Sequence, residues 1–238
     1  MGHNKNFTHI IVDLDGTLID ESLRLEAQAK AVSEKFGSSH ESIQAVIDAF
    51  FVANDRAVIE GGENKNNIPQ YMKWIAESLN ISITDEESKT LASAWMRAYK
   101  ESLATPYVFS DTFPFLEGAQ ERGYELILAT GGTIEEKKYC IDKAGISDFV
   151  KKIYTSAEVG FQKQDKRFWE FILAELHVPA EQILVVGNQI NDDILWPSQL
   201  GMKTVLVNRS DDFIKQIGSG SLKPEYEVTT LQSILTFI

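Results

Sequence analysis

The chain has 238 residues, 43% of them hydrophobic and 24% charged, with a formal net charge of -12. That length suffices for a sizeable buried core. The charge disfavours nucleic acid and anionic membranes as partners, and the single Cys140 excludes a disulfide framework or a cysteine-rich metal centre. The opening residues, MGHNKNF, are polar, and no apolar run approaches the roughly 18 residues of a membrane helix; a cytoplasmic protein is expected.

Thr8–Val12 is a short β-branched, apolar run stopped by Asp13-Leu14-Asp15-Gly16, the pattern of a buried strand that ends in a tight loop. From Glu21 to Leu103 the spacing becomes helical: Leu23, Ala27, Ala31 and Val32 share one face, and Ile43, Val46, Ile47 and Phe50 repeat it. Met72, Ile75, Ala76 and Leu79 do the same, as do Leu91, Trp95, Ala98 and Tyr99, with the polar stretch Glu60–Asn67 dividing the block. This predicts a helical insert over residues 18–107, with 1–17 and 108–238 forming one core. Beyond the insert, strands at Tyr124–Thr130, Lys152–Thr155, Gln182–Gly187 and Lys203–Val207 alternate with helices at Ile134–Ala144, Lys166–Leu176 and Asp192–Leu200. Gly218–Ser221 reads as a flexible loop before a weak final strand and helix. Such alternation predicts an α/β fold, a Rossmann-like parallel sheet with helices on both faces, whose ligands bind beyond the carboxyl ends of the strands.

Four loops at those ends carry Asp13, Asp15, Thr130, Lys163, Asn188, Asp192 and Asp193. Asp13 and Asp15 stand two residues apart at a strand end, so both can face one cleft. Paired carboxylates raise each other's pKa unless a cation intervenes, and hard oxygen ligands suit magnesium. Plainer readings stand beside these. The two aspartates before Gly16 suit a turn, and Thr130 suits a strand end or helix cap. Lys166 and Arg167 compete with Lys163, and Asp192 and Asp193 complement a helix N-terminus.

The order of these loops resembles the haloacid dehalogenase superfamily. The D-x-D-G-T motif stands as Asp13-Leu14-Asp15-Gly16-Thr17, and an apolar strand ending in Thr as Leu126–Thr130. The lysine follows Gly160 by three residues as Lys163, and the acidic cluster runs Gly187-Asn188-Gln189-Ile190-Asn191-Asp192-Asp193. The resemblance covers the whole chain and implies a magnesium-dependent phosphatase of a small phosphorylated metabolite, with the helical insert as a cap over the cleft. It implies that Asp13 attacks phosphorus to form an aspartyl-phosphate and that Asp15 exchanges protons with the leaving oxygen and water. Thr130, with backbone N–H groups around Leu14 and Gly131, would hold the phosphate, and Lys163 would neutralise charge shared with Asp13. Magnesium would lie on Asp13, Asp15 and Asn188, with Asp192 and Asp193 as direct or more distant ligands.

Three departures from the family pattern stand out. Asn188 replaces the usual Asp and brings no charge, so weaker metal binding is expected. Gln164 and Lys166 replace two prolines after Lys163, which predicts a less rigid loop. Gly131 stands where Asn is common. Two further functions fit the same residues: a sugar-phosphate mutase, and a non-catalytic binding protein that keeps the fold. Dehalogenase chemistry is disfavoured by Asp15, since those relatives lack it. Glu21, Arg24 and Arg56 are candidates for substrate selection from the insert, whereas Cys140, Trp74, Trp95, Trp169 and Trp196 read as packing.

Overall fold

Parallel strands buried on both faces read as continuous apolar runs, and the segments His9-Ile10-Ile11-Val12 and Ile183-Leu184-Val185-Val186-Gly187 are of that kind. In the computed structural model, which describes residues 7–59, 67–209 and 223–238, they lie side by side at the middle of a sheet. In chain order the elements are β1 (His9–Val12), β2 (Ile19–Asp20), α1 (Ser22–Ala31), α2 (Ser33–Phe36), α3 (His40–Ile59), α4 (Ile68–Ser78) and α5 (Asp85–Ser102). There follow β3 (Tyr107–Val108), α6 (Thr112–Glu121), β4 (Glu125–Thr130), α7 (Ile134–Lys143), β5 (Val150–Thr155), α8 (Ser156–Val159) and α9 (Lys166–Leu176). The last are β6 (Ile183–Gly187), α10 (Leu195–Gln199), β7 (Lys203–Val207) and β8 (Tyr226–Val228).

The main sheet has six strands in the order β5-β4-β1-β6-β7-β8, every neighbouring pair parallel. With its helices it forms the Rossmann-like α/β core expected from the alternation. After β1 the chain continues to β4 on one side and later reaches β6 on the other, so β1 marks the switch point where such sheets bind ligands. Register fixes which residues meet there: Val12 pairs with Leu128 and with Val186, and the Asp13 amide donates to the Val186 carbonyl at 2.9 Å. Asp13, Thr130 and Asn188 therefore leave three adjacent strands at the same edge.

The chain divides into two compact units, residues 1–20 with 106–238, and residues 21–105. This division is narrower than 18–107 because β2 pairs antiparallel with β3, Ile19 opposite Val108, and that two-residue ribbon belongs to the sheet-containing unit. The described secondary-structure elements of the second unit are all helices. Its apolar faces bury Leu25, Val46, Met72, Trp74, Ile75 and Trp95 in one core. Its helix starts follow local chemistry. Asn67 caps α4 ahead of Pro69 in the first turn, and Thr84 and Glu87 form a reciprocal capping box at α5.

Three local differences from the sequence pattern stand out. Helix α6 carries Pro114 and Gly118 and shows little apolar periodicity, yet Phe115, Leu116 and Ala119 are buried against the sheet-bearing core. The segment read as a helix from Asp192 starts as a wide π-helical turn, Ile190–Ile194, before α10. The final helix is a 3-10 turn, Leu231–Thr236. Residues 60–66 of the polar break and the Gly218–Ser221 loop lie outside the described residues.

Candidate active site

The loop after β1 closes on itself. Leu18 and Ile19 amides donate to the Leu14 carbonyl at 3.0 and 2.9 Å, and Gly16 adopts a φ of 79°, a left-handed conformation that glycine takes without steric cost. This turn presents the Asp13 and Asp15 carboxylates from one short segment. Asp13 is buried, and its Oδ1 receives the Lys163 ammonium at 2.6 Å. The same ammonium lies 2.5 Å from Asp193 Oδ1, so one buried cation serves two buried carboxylates. Burial raises the Asp13 carboxyl from an ordinary 3.8 to about 7; Lys163 opposes the rise and Asp193 adds to it. Burial also raises Asp193, against the pull of Lys163. For Lys163, burial works against the charge, but Asp13, Asp193 and Asp192 more than offset it and hold the ammonium above the usual lysine range.

Asp193 reaches Lys163 because its other oxygen is fixed. Asp193 Oδ2 accepts from the Gln189 amide at 3.0 Å. Its side chain lies so tightly against β6 that a Cβ on Gly187 would sit 2.1 Å from Asp193 Cγ, so glycine is required there. Asp193 is thus ion-paired with Lys163 through Oδ1 and hydrogen-bonded to the Gln189 amide through Oδ2. Asp192 is held differently, by a hydrogen bond from Gln164 Nε2.

Thr17 joins the first and fourth motifs. Its buried hydroxyl lies 3.2 Å from Asp13 Oδ2 and 3.3 Å from Asn188 Oδ1, bringing two hard oxygen ligands around one point. Among the described residues no group of three His, Cys, Asp or Glu side chains gathers as a metal site. The donor set here is instead a carboxylate and an amide oxygen. It fits magnesium, which binds through one or two carboxylates and keeps several waters, and the excess of negative charge around Lys163 favours a cation.

Thr130 is fully buried at the end of β4, and its hydroxyl has no hydrogen-bond partner among the described residues. A buried hydroxyl left unpaired is costly to the fold. Gly131 follows, with open space where a Cβ would stand. Helix α7 starts nearby, capped by Thr133, whose hydroxyl accepts from the Glu136 amide, so its positive end lies close to Thr130.

Several residues at the site were missed in the sequence. Lys137 is buried within α7 and donates to Asp15 Oδ2 at 2.5 Å. A signal existed: Lys137, Cys140 and Ile141 are the buried residues of α7 and fall at i, i+3 and i+4, which puts the lysine on the inward face. Thr17 was quoted only as part of a motif. Arg209 donates to the Thr17 carbonyl at 2.7 Å, forks onto Asp111 at 3.1 and 3.0 Å, and stacks on Phe109 at 3.8 Å. Of the competitors for Lys163, Lys166 pairs with Glu170 and Arg167 with Asp165, both on exposed surface. Arg24 pairs with Glu21 at 2.5 Å, and Arg56 pairs with Glu77 at 2.8 Å.

The chain is similar to several known proteins. Over 134 residues the chain is 34% identical to the glyceraldehyde 3-phosphate phosphatase of Methanothermobacter thermautotrophicus, a match covering 55% of this chain and 58% of that protein. It is 25% identical over 213 residues to the ribulose-1,5-bisphosphate 5-phosphatase of Halopiger xanaduensis, covering 86% of each. In fold it is similar to the HAD-hydrolase YfnB from Bacillus subtilis bound to magnesium, with a TM-score of 0.78, 17% identity and 97% of each chain covered. The model of the haloacid dehalogenase-like hydrolases matches residues 7–200. With that match over most of its length, the chain belongs to the haloacid dehalogenase-like hydrolases.

Proposed function

We propose that the chain is a phosphoric monoester hydrolase acting on small phosphorylated metabolites, with Asp13 as its nucleophile. The observation that carries this is the buried line Asp13–Lys163–Asp193 at the switch point of the sheet. The relatives named as phosphatases of phosphorylated sugars support the substrate class.

Asp13 attacks phosphorus through one carboxylate oxygen, with Lys163 held on Oδ1 and Thr17 beside Oδ2. As that bond forms, the bond from phosphorus to the ester oxygen breaks, and Asp15 gives a proton to the departing oxygen. Asp15 then takes a proton from water, which attacks phosphorus and releases Asp13. Thr130 donates its hydroxyl to a phosphoryl oxygen, and Lys163 offsets the charge that builds between Asp13 and phosphorus. A magnesium ion would be held by Asp13 and Asn188, with Asp15 of the same loop as the further candidate ligand, and when bound it would supply positive charge against the phosphoryl oxygens. No helix of the described residues is long and apolar enough to cross a membrane, and a small metabolite substrate suits a cytoplasmic enzyme.

Purified protein is expected to release phosphate from p-nitrophenyl phosphate in magnesium, and chelation with EDTA to stop it. Retained activity in folded Asp13→Asn protein would refute the reading.

A further inference from the structure

Lysine is a flexible anchor for a charge that must sit within a few tenths of an ångström of a nucleophile. Its four-carbon stem lets the ammonium wander unless both ends are held. Here the ammonium end is gripped by Asp13 and Asp193. The backbone end lies in the loop Gly160–Asp165, which contains no proline to fix its φ angles. Two tryptophans hold it. The buried indole N–H of Trp169, on α9, donates to the carbonyl of Lys163 itself at 2.9 Å. The indole N–H of Trp196, on α10, donates to the carbonyl of Gln164 at 2.6 Å. Consecutive carbonyls are thus tied to two different helices, and the Gln164 side chain adds a third tie to Asp192.

Trp196 and Asp193 are three residues apart across the π-helical turn and the start of α10. That short segment grips the lysine loop at both ends, the ammonium through Asp193 and the following carbonyl through Trp196. It is also continuous with Asn188. A shift of α10 would therefore move Lys163 relative to Asp13.

We propose that Trp169 and Trp196 are positioning residues for the reaction: their indole N–H groups set the backbone at residues 163 and 164 so that the Lys163 ammonium meets Asp13, with Trp196 coupling that placement to the loop carrying Asn188, Asp192 and Asp193. Neither ring touches the reacting atoms. The inference rests on the reading of Lys163 as the charge partner of an Asp13 nucleophile. A misplacement of about 1 Å at a catalytic group can cost on the order of 100-fold in rate, whereas a lost hydrogen bond with a merely structural role lowers stability and leaves the rate per folded molecule unchanged.

The test is a double-mutant cycle on p-nitrophenyl phosphate hydrolysis in magnesium, at a temperature where circular dichroism shows every variant folded. Trp196→Phe and Trp169→Phe are each expected to lower kcat about tenfold or more while KM changes much less. In a Lys163→Ala background the same substitutions should change the rate less than about twofold, because contacting sites are not additive. Benzothienylalanine at position 196 keeps the ring's size and lacks only the N–H; it should reproduce the Trp196→Phe loss if that variant folds poorly. A crystal structure of either position-196 variant reads the placement without turnover, and the Lys163–Asp13 contact should be lost. The proposal is overturned if kcat stays within twofold of the parent, if the losses multiply with that of Lys163→Ala, or if the Lys163–Asp13 contact survives. Full activity in Lys163→Ala itself would instead strike the catalytic reading of Lys163, an outcome the crystal structure separates from failure of the positioning claim.

Discussion

Two carboxylates, one in each unit, show how differently the halves of the molecule are built. Asp13, in the sheet-bearing unit, is buried and its pKa is raised to about 7; Glu87, in the helical unit, is exposed and its pKa is lowered to about 2 by Lys35 and by the Thr84 capping hydrogen bonds. Asp13 stands where its charge is costly to the fold, and Glu87 where its charge helps it. The contrast is general. Every buried charged residue among those described, Asp13, Lys137, Lys163 and Asp193, lies in the sheet-bearing unit. The helical unit buries aromatic and aliphatic groups with Gln28 and Ser88, and carries ion pairs such as Lys73–Asp85 and Lys30–Glu26 on the surface, with Arg24–Glu21 half-buried. Burying charge weakens a fold unless each group is paired, so one unit bears buried charge at a cost in stability and the other is built for packing.

Substitutions in the two units should therefore separate activity from stability. Asp13→Asn should abolish phosphate release, by at least about 10⁴-fold, as expected for loss of a nucleophile. Lys163→Met should lower kcat by about 10² to 10³-fold, the loss typical when one group stabilising a transition-state charge is removed. Trp95→Ala, in the helical core, should cost about 3 to 5 kcal/mol in urea denaturation, a larger loss of stability than either active-site change.

The smaller effects concern pH and carry opposite signs. A raised carboxyl pKa means that the folded state binds the proton more tightly than the unfolded chain, so this contribution is lost as pH rises from about 4 to about 7. Asp13→Asn removes it. The metal-free variant should melt roughly 3 °C or more above the parent at pH 8, a difference that shrinks as pH is lowered toward 4. Glu87 has a lowered pKa, so its contribution is present above its ordinary value and is lost as pH falls toward 2. Glu87→Gln should lower the melting temperature slightly at pH 7 and not at pH 2, the smallest shift of the set because the group is exposed. A destabilised Asp13→Asn variant at pH 8 would break the contrast between the units.

The main elements were legible in the apolar runs, and the gathering of the motif residues was legible because side chains just after adjacent parallel strands share a common edge. What bound them together was less legible. Lys137 sits beside Lys138 in a charged helix, and only the helical phase distinguishes the buried lysine from its neighbour. Trp169 and Trp196 pack as their spacing implies, but a periodicity says nothing about where an indole N–H points. Arg209 and Thr17 are 192 residues apart in sequence, and the β2–β3 ribbon is two residues long on each side, too short to leave a pattern. The loop after Lys163, expected to be loose for want of prolines, is tied to two helices through contacts that no local rule anticipates.

The central claim is a covalent bond between Asp13 and phosphorus. Turnover quenched in acid and reduced with borohydride converts an aspartyl-phosphate to homoserine, which mass spectrometry can locate. The account predicts homoserine at position 13, dependent on substrate and absent in Asp13→Asn protein. Steady turnover with no modification at position 13, or with homoserine at another aspartate, would contradict it.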